Sequence, residues 1–159
     1  MSKKKVLFIS SVGGHLTQLL QLKPLFKEYN SYLITERDKV TLKLTHLEKD
    51  AKISLIHPVR KSNIFLLNFN RIILLIESFI KFLIIMPDIV VSTGSVTGAV
   101  MLKIANLFKR KTIYIETFAS VKKPTRTGLL VYPFVDRFYV QWESMLEFFP
   151  NAIYLGKLY

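Results

Sequence analysis

Short apolar runs rich in β-branched residues recur along the chain, and between them lie longer stretches with apolar positions at helical spacing. Val6–Ser10 reads as a first strand. Leu16–Tyr29 reads as a helix with Leu19, Leu20, Leu22, Leu25 and Phe26 on its inner face. Ser31–Thr35 and Ile53–His57 read as the second and third strands. Pro87 precedes a fully buried strand over residues 88–92, and Val96–Phe108 is the helix that follows it. Lys111–Ile115, Arg137–Val140 and Ala152–Leu155 continue the series of strands. Apolar strands separated by helices of this length predict βαβ units. The expected fold is therefore α/β, a Rossmann-like parallel sheet flanked by helices. No internal repeat, low-complexity tract or long linker interrupts it, so residues 1–159 read as a single domain.

The stretch Ile64–Met86 approaches the roughly 20 apolar residues of a membrane span. It also carries Asn68, Asn70, Arg71, Glu77, Ser78 and Lys81, which argues against lipid on all sides. On a helical wheel most of these gather on one side, with Leu74, Phe82 and Ile85 intruding there. Two readings follow, and they are compatible. One is a buried crossover helix between the third and fourth strands. The other is an in-plane interfacial helix: Phe79, Phe82 and Ile85 enter the headgroup boundary while Arg71 and Lys81 meet anionic lipid.

Composition narrows the chemistry. Of 159 residues, 50% are hydrophobic, with 12 Phe and 7 Tyr, which excludes intrinsic disorder. There are no cysteines, so disulfides, thiolate zinc sites and thiol nucleophiles are excluded together. Lys and Arg number 23 against 11 Asp and Glu, a net charge of +12, which calls for an anionic partner. Nucleic acid is the weakest candidate, because no helix-turn-helix, RNP-type or zinc-finger pattern is present. An anionic membrane surface fits better, since high charge and high hydrophobicity share one chain. Lys3, Lys4 and Lys5 followed by Val6–Ile9 imitate a secretory signal, but the apolar run ends at Ser10 and Ser11. A cytoplasmic address is expected.

Three loops follow strands and could carry chemistry. In the first, Gly13, Gly14 and His15 lie between a strand and an amphipathic helix, a place for close backbone approach to phosphate or another anion. The spacing is neither that of a dinucleotide fingerprint nor that of a Walker loop. In the second, Gly94, Ser95 and Thr97 offer backbone and hydroxyls. In the third, Glu116 stands where it could orient His15 or hold a substrate hydroxyl, with Lys122, Lys123 and Arg126 nearby. All three sit at the carboxyl ends of strands, where open parallel sheets bind ligands. His46 and His57 have no partner pattern. No D-x-D pair exists, so no carboxylate-held metal site is expected.

The glycine pair with His15, the run Pro87-Asp88-Ile89-Val90-Val91-Ser92-Thr93-Gly94, Tyr114-Ile115-Glu116-Thr117-Phe118 and Tyr139-Val140-Gln141-Trp142-Glu143 occur in an order that resembles the Alg-fourteen family. The resemblance spans nearly the whole chain and extends to bacterial relatives in capsular and exopolysaccharide synthesis. It implies the N-terminal, acceptor-side domain of a GT-B glycosyltransferase, split off as a separate polypeptide. It also implies a partner subunit, the GT-B C-terminal half, which binds most of the UDP-sugar donor, so that this chain holds no cofactor of its own. The acceptor implied is a lipid-diphosphate-linked saccharide at the cytoplasmic face of the membrane, extended by hexosyl or N-acetylhexosaminyl transfer. His15 and Glu116 are the implied catalytic candidates. Gly13, Gly14, Gly94, Ser95, Thr97 and Arg126 are the implied acceptor and phosphate wall. Eukaryotic members begin with a transmembrane helix; here peripheral anchoring falls to Ile64–Met86 and the basic residues. Two other classes stay open, a non-catalytic recruiting scaffold and a stand-alone Rossmann-like nucleotide-binding enzyme.

Overall fold

In the computed structural model, which describes residues 3–58 and 64–158, β1 (Lys5–Ser10) leads into α1 (Gly14–Leu20), β2 (Asn30–Glu36), α2 (Lys39–Leu47) and β3 (Lys52–Ile56). The chain continues through α3 (Ile64–Ile85), β4 (Ile89–Ser92), α4 (Ser95–Leu107), β5 (Lys111–Ile115), α5 (Arg126–Val131), β6 (Arg137–Val140) and β7 (Ile153–Tyr154). The seven strands form one sheet in the order β3-β2-β1-β4-β5-β6-β7, and every pairing is parallel. The order reverses at β1, where Phe8 lies between Leu33 of β2 and Val91 of β4. The crevice outside the carboxyl ends of β1 and β4 is thus the topological switch point.

Alternation along β1 builds two cores. Leu7 and Ile9 join Leu74, Phe82 and Ile85 of α3, Leu102 of α4 and Tyr114 on one face. Val6 and Phe8 join Leu16, Leu19 and Phe26 on the other. The second face is less fully covered. A groove of about 380 Å³ remains beside Ile89, Ile113 and Tyr139, bordered by Leu25, Leu155 and Leu158.

The strands fall where the apolar runs place them, within a residue or two. The helices need four corrections. The first is shorter than Leu16–Tyr29: α1 ends at Leu20, and a 3-10 turn spans Lys23–Lys27. Pro24 lacks the N–H that a continuing helix requires. Phe26 is buried there, and Leu25, on the inner face as expected, is left 42% exposed by the open groove it borders. Next, α2 occupies a stretch that the apolar pattern leaves unassigned. Asp38 caps it by accepting from Val40 N at 3.1 Å, and Thr41 Oγ1 accepts from Asp38 N at 2.8 Å, a reciprocal cap. The short α5 is likewise additional, started by Thr125.

The fourth correction concerns α3, which is the expected crossover helix between β3 and β4 but encloses two of the residues expected at the lipid. Leu74, Ser78, Phe82 and Ile85 face the sheet and α4, so Phe82 and Ile85 are core residues and not membrane-facing ones. Ile72, Ile76, Phe79, Ile80 and Ile84 face outward, Ile84 at 76% exposure. Lys81 turns to Ser54 Oγ beside β3, and Glu77 Oε2 accepts from His57 N at 2.6 Å. Of the five residues expected to meet lipid, Arg71 and Phe79 are exposed, Lys81 is half-buried, and Phe82 and Ile85 are enclosed. Among the described residues no helix is long and apolar enough to cross a membrane.

Candidate functional site

The loops after β1 and β4 interlock at the switch point. His15, half-exposed in the first turn of α1, places Nδ1 2.9 Å from the Thr93 carbonyl. Thr93 Oγ1 returns a bond to the His15 carbonyl at 2.8 Å, and Ser11 N donates to Ser95 Oγ at 3.2 Å. A carbonyl oxygen can only accept, so Nδ1 carries the ring proton in the neutral imidazole. Nε2 is left as the acceptor. That is the tautomer a proton-accepting histidine needs, held by a backbone group that cannot itself titrate.

Gly94 makes this geometry possible. Its φ of +128° suits glycine, and a Cβ there would lie 2.6 Å from the His15 ring. Gly94 is buried under the imidazole, so its role is to admit His15 and not to line a phosphate wall. Gly13 and Gly14 fit the expectation better. Both are exposed, Gly13 at φ +82°, with nothing within 4 Å of the Cβ positions. Ser95, half-exposed at φ +74°, ties the two loops together. Thr97 is not on the wall: it is fully buried and donates to Glu36 Oε1 at 2.7 Å.

Glu116 also departs from expectation. It is fully buried, with Oε2 accepting from Thr125 Oγ1 at 3.0 Å and Oε1 from Thr117 N at 3.0 Å. Gly128 of α5 lies so close that a Cβ there would fall 1.9 Å from Oε2. Burial pushes the carboxyl up from its ordinary value, against the opposing pull of those hydrogen bonds. It does not orient His15, whose partner is Thr93. It fixes the start of α5 through Thr125, which both donates to Glu116 and accepts from Gly128 N at 2.9 Å. Arg126 is exposed in the next position.

A buried amide relay joins these loops, and the sequence reading missed it. Gln18, one turn after His15, donates to Thr117 Oγ1 at 2.9 Å. Its Oε1 accepts from Phe118 N at 2.9 Å and from Gln141 Nε2 at 2.8 Å. Gln141 also donates to the Glu116 carbonyl at 3.0 Å and accepts from Leu158 N at 3.0 Å. The available signal was a lone Gln among Leu16, Leu19 and Leu20, since a polar residue on an inner helix face needs a partner. Among the described residues no group of three His, Cys, Asp or Glu could hold a metal ion.

The family model described as "Oligosaccharide biosynthesis protein Alg14 like" matches residues 6–158. The chain belongs to this family. The mouse "UDP-N-acetylglucosamine transferase subunit ALG14" is 27% identical over 180 residues, covering 97% of this chain and 82% of that protein. The protein of the same name from Yarrowia lipolytica is 36% identical over 78 residues, 45% of this chain and 36% of its own length. Among solved structures, Acinetobacter baumannii MurG superposes with a TM-score of 0.77 at 13% identity, covering 97% of this chain and 45% of that one. The UDP-N-acetylglucosamine 2-epimerase of Rickettsia bellii gives 0.73 at 10% identity, 98% and 45%. The chain thus spans less than half of the solved structures it resembles. At these identities they establish the fold, the parallel sheet with flanking helices expected of a GT-B N-terminal domain. No match bears on the role of any single residue.

Proposed function

We propose that this Alg14-like chain is the acceptor-binding subunit of a two-component, UDP-sugar-dependent glycosyltransferase. It sits peripherally at the cytoplasmic face of a membrane and extends a polyprenyl-diphosphate-linked saccharide in capsular or exopolysaccharide synthesis. The sugar transferred is a hexosyl or N-acetylhexosaminyl unit. A partner subunit resembling a GT-B C-terminal half binds most of the donor. The relatives' names as transferase subunits support this, as does a fold that covers 45% of the MurG chain.

The observation that carries the reading is His15, fixed through Nδ1 with Nε2 free to accept. In the transfer, an acceptor hydroxyl over Gly13 and Gly14 loses its proton to Nε2. Its oxygen bonds to the anomeric carbon as the bond from that carbon to the UDP oxygen breaks, and the electron pair leaves with UDP. The imidazolium that results keeps its Nδ1–H bond to Thr93. Arg126 stands at the rim as the counter-charge for the acceptor diphosphate, and Glu116 positions the loop from Thr117 to Thr125. The outer apolar face of α3 supplies the attachment to the membrane.

The test is reconstitution. The purified chain, offered UDP-N-acetylglucosamine and a lipid-diphosphate-linked saccharide, transfers nothing until the partner is added. Robust turnover by the chain alone overturns the two-component reading and favours a stand-alone enzyme.

A further inference from the structure

A second groove, of about 480 Å³, runs between α4 and α5. Val96, Val100, Leu130 and Phe134 supply its apolar lining, and Lys103 and Arg126 its two cations. One end lies at the switch-point edge of the sheet. Val96 follows Ser95, which holds the His15 loop through Ser11, and Arg126 follows Thr125, which holds Glu116. No ion pair among the described residues involves Arg126 or Lys103. Away from that edge the lining is apolar, and Lys103 lays its ammonium over the Phe134 ring at 4.6 Å.

The groove is also open to water. Leu130 is 64% exposed and Val96 46%. It belongs to the same layer as the apolar outer face of α3, because α4 packs on both α3 and α5. A cation at the mouth, one residue after Thr125, and a floor of aliphatic side chains behind it complement one kind of ligand: an anionic head joined to an apolar chain. A partner helix would not need the unpaired Arg126 at the mouth.

We propose that the α4–α5 groove holds the first isoprene units of the acceptor lipid. The diphosphate sits at Arg126, and the tail runs along α4 toward the apolar layer that α3 shares. This rests on the reading that the acceptor is a polyprenyl diphosphate, and adds to it where the lipid is gripped.

The experiment measures equilibrium binding of isopentenyl, geranyl, farnesyl and geranylgeranyl diphosphates to the full-length chain. Affinity rises at least tenfold with each added isoprene until the groove is filled, because up to five carbons leave water at each step; their complete burial would give about a thousandfold, and the open groove gives less. Val100→Asp and Leu130→Asp flatten that dependence. Leu130 is exposed enough that its variant keeps the fold even where the half-buried Val100 does not. The inference is overturned if tail dependence persists in both variants, or if Ile80→Asp abolishes it instead, which places the tail on α3. It is equally overturned if added partner subunit displaces farnesyl diphosphate, which assigns the groove to protein. Binding of all four diphosphates with equal affinity overturns the groove alone and leaves the acceptor reading standing. Binding of none overturns both.

Discussion

Replacing Ile76, Ile80 and Ile84 by Ser together separates the outward face of α3, proposed to meet the membrane, from its core face. These three side chains are 54%, 50% and 76% exposed. Burying an isoleucine completely gains about 1.5–3 kcal/mol, so the exposed shares of the three sum to about 3–5 kcal/mol. The headgroup boundary is less apolar than hydrocarbon, which favours the lower end. At about 1.4 kcal/mol per tenfold, the vesicle partition coefficient falls roughly a hundredfold. Stability changes little, since Ile and Ser have similar helix propensity and no core contact is lost. Phe82→Ser is the contrast: Phe82 is fully buried beside Phe108, their ring centroids 5.0 Å apart, and its loss costs about 3–5 kcal/mol of folding stability. Co-sedimentation with vesicles measures the first effect, and thermal melts separate it from the second. Anionic vesicles bind more tightly than neutral ones, with high salt removing only that excess. A triple variant that partitions like the parent refutes the assignment of α3 to the membrane.

Further outcomes are expected at the sheet edge. His15→Ala lowers kcat of the two-subunit complex by roughly 10²–10⁴, the span for losing acid–base catalysis. His15→Gln is nearly as inactive, and near-full activity in His15→Ala removes the base from His15 and leaves Glu116 or the partner to supply it. Gly94→Ala destabilises by about 2–4 kcal/mol, combining its positive φ with the displaced His15 bond, which a urea midpoint reports. Glu116 has its folded-state pKa raised by burial, so the stability it contributes is full below the ordinary value of 4.5 and is lost as pH rises through the raised one. Glu116→Gln therefore gains on the parent as pH climbs from 4.5, and a difference in unfolding free energy that stays constant with pH contradicts the burial argument.

Strands were legible because a strand apolar on both faces reads as a continuous run, and these strands stay apolar even where one face borders an open groove. Where a second signal was needed, the reading slipped. In α2 the alternation Val40, Leu42, Leu44 looks like a half-buried strand, and only the Asp38–Thr41 cap reveals a helix. In α3 the residues expected at lipid mixed the two faces of the helix: Phe82 and Ile85 share the buried side with Leu74 and Ser78, and the isoleucines at 76, 80 and 84 are left outside. At the site, Gly13, Gly14 and His15 were visible from their place between a strand and a helix. Thr97 was misassigned because its direction depends on the phase of α4, which turns it inward to Glu36. The Gln18–Gln141 contact joins residues 123 positions apart, a separation that no local pattern encodes.

The close fit of Gly128 against Glu116 has a consequence for how this sequence can drift. Position 128 lies within a helix, where exchanging glycine for alanine ordinarily gains about 1 kcal/mol. That gain is withheld here chiefly because a Cβ would fall 1.9 Å from Glu116 Oε2, with Thr125 Oγ1 a further close neighbour at 3.1 Å. The two sites therefore change hands in order. While a long side chain stands at 116, a larger residue at 128 displaces its carboxylate and is disfavoured. Once 116 shortens to Ser or Ala, Thr125 loses its acceptor, and a bulkier residue at 128 becomes the quickest repair, refilling the void and stiffening the helix. Lineages of this fold should accordingly divide into two classes, long-with-glycine and short-with-alanine. The mixed long-with-alanine combination should be rare, because the carboxylate would have to swing aside and give up its bonds to Thr125 and Thr117.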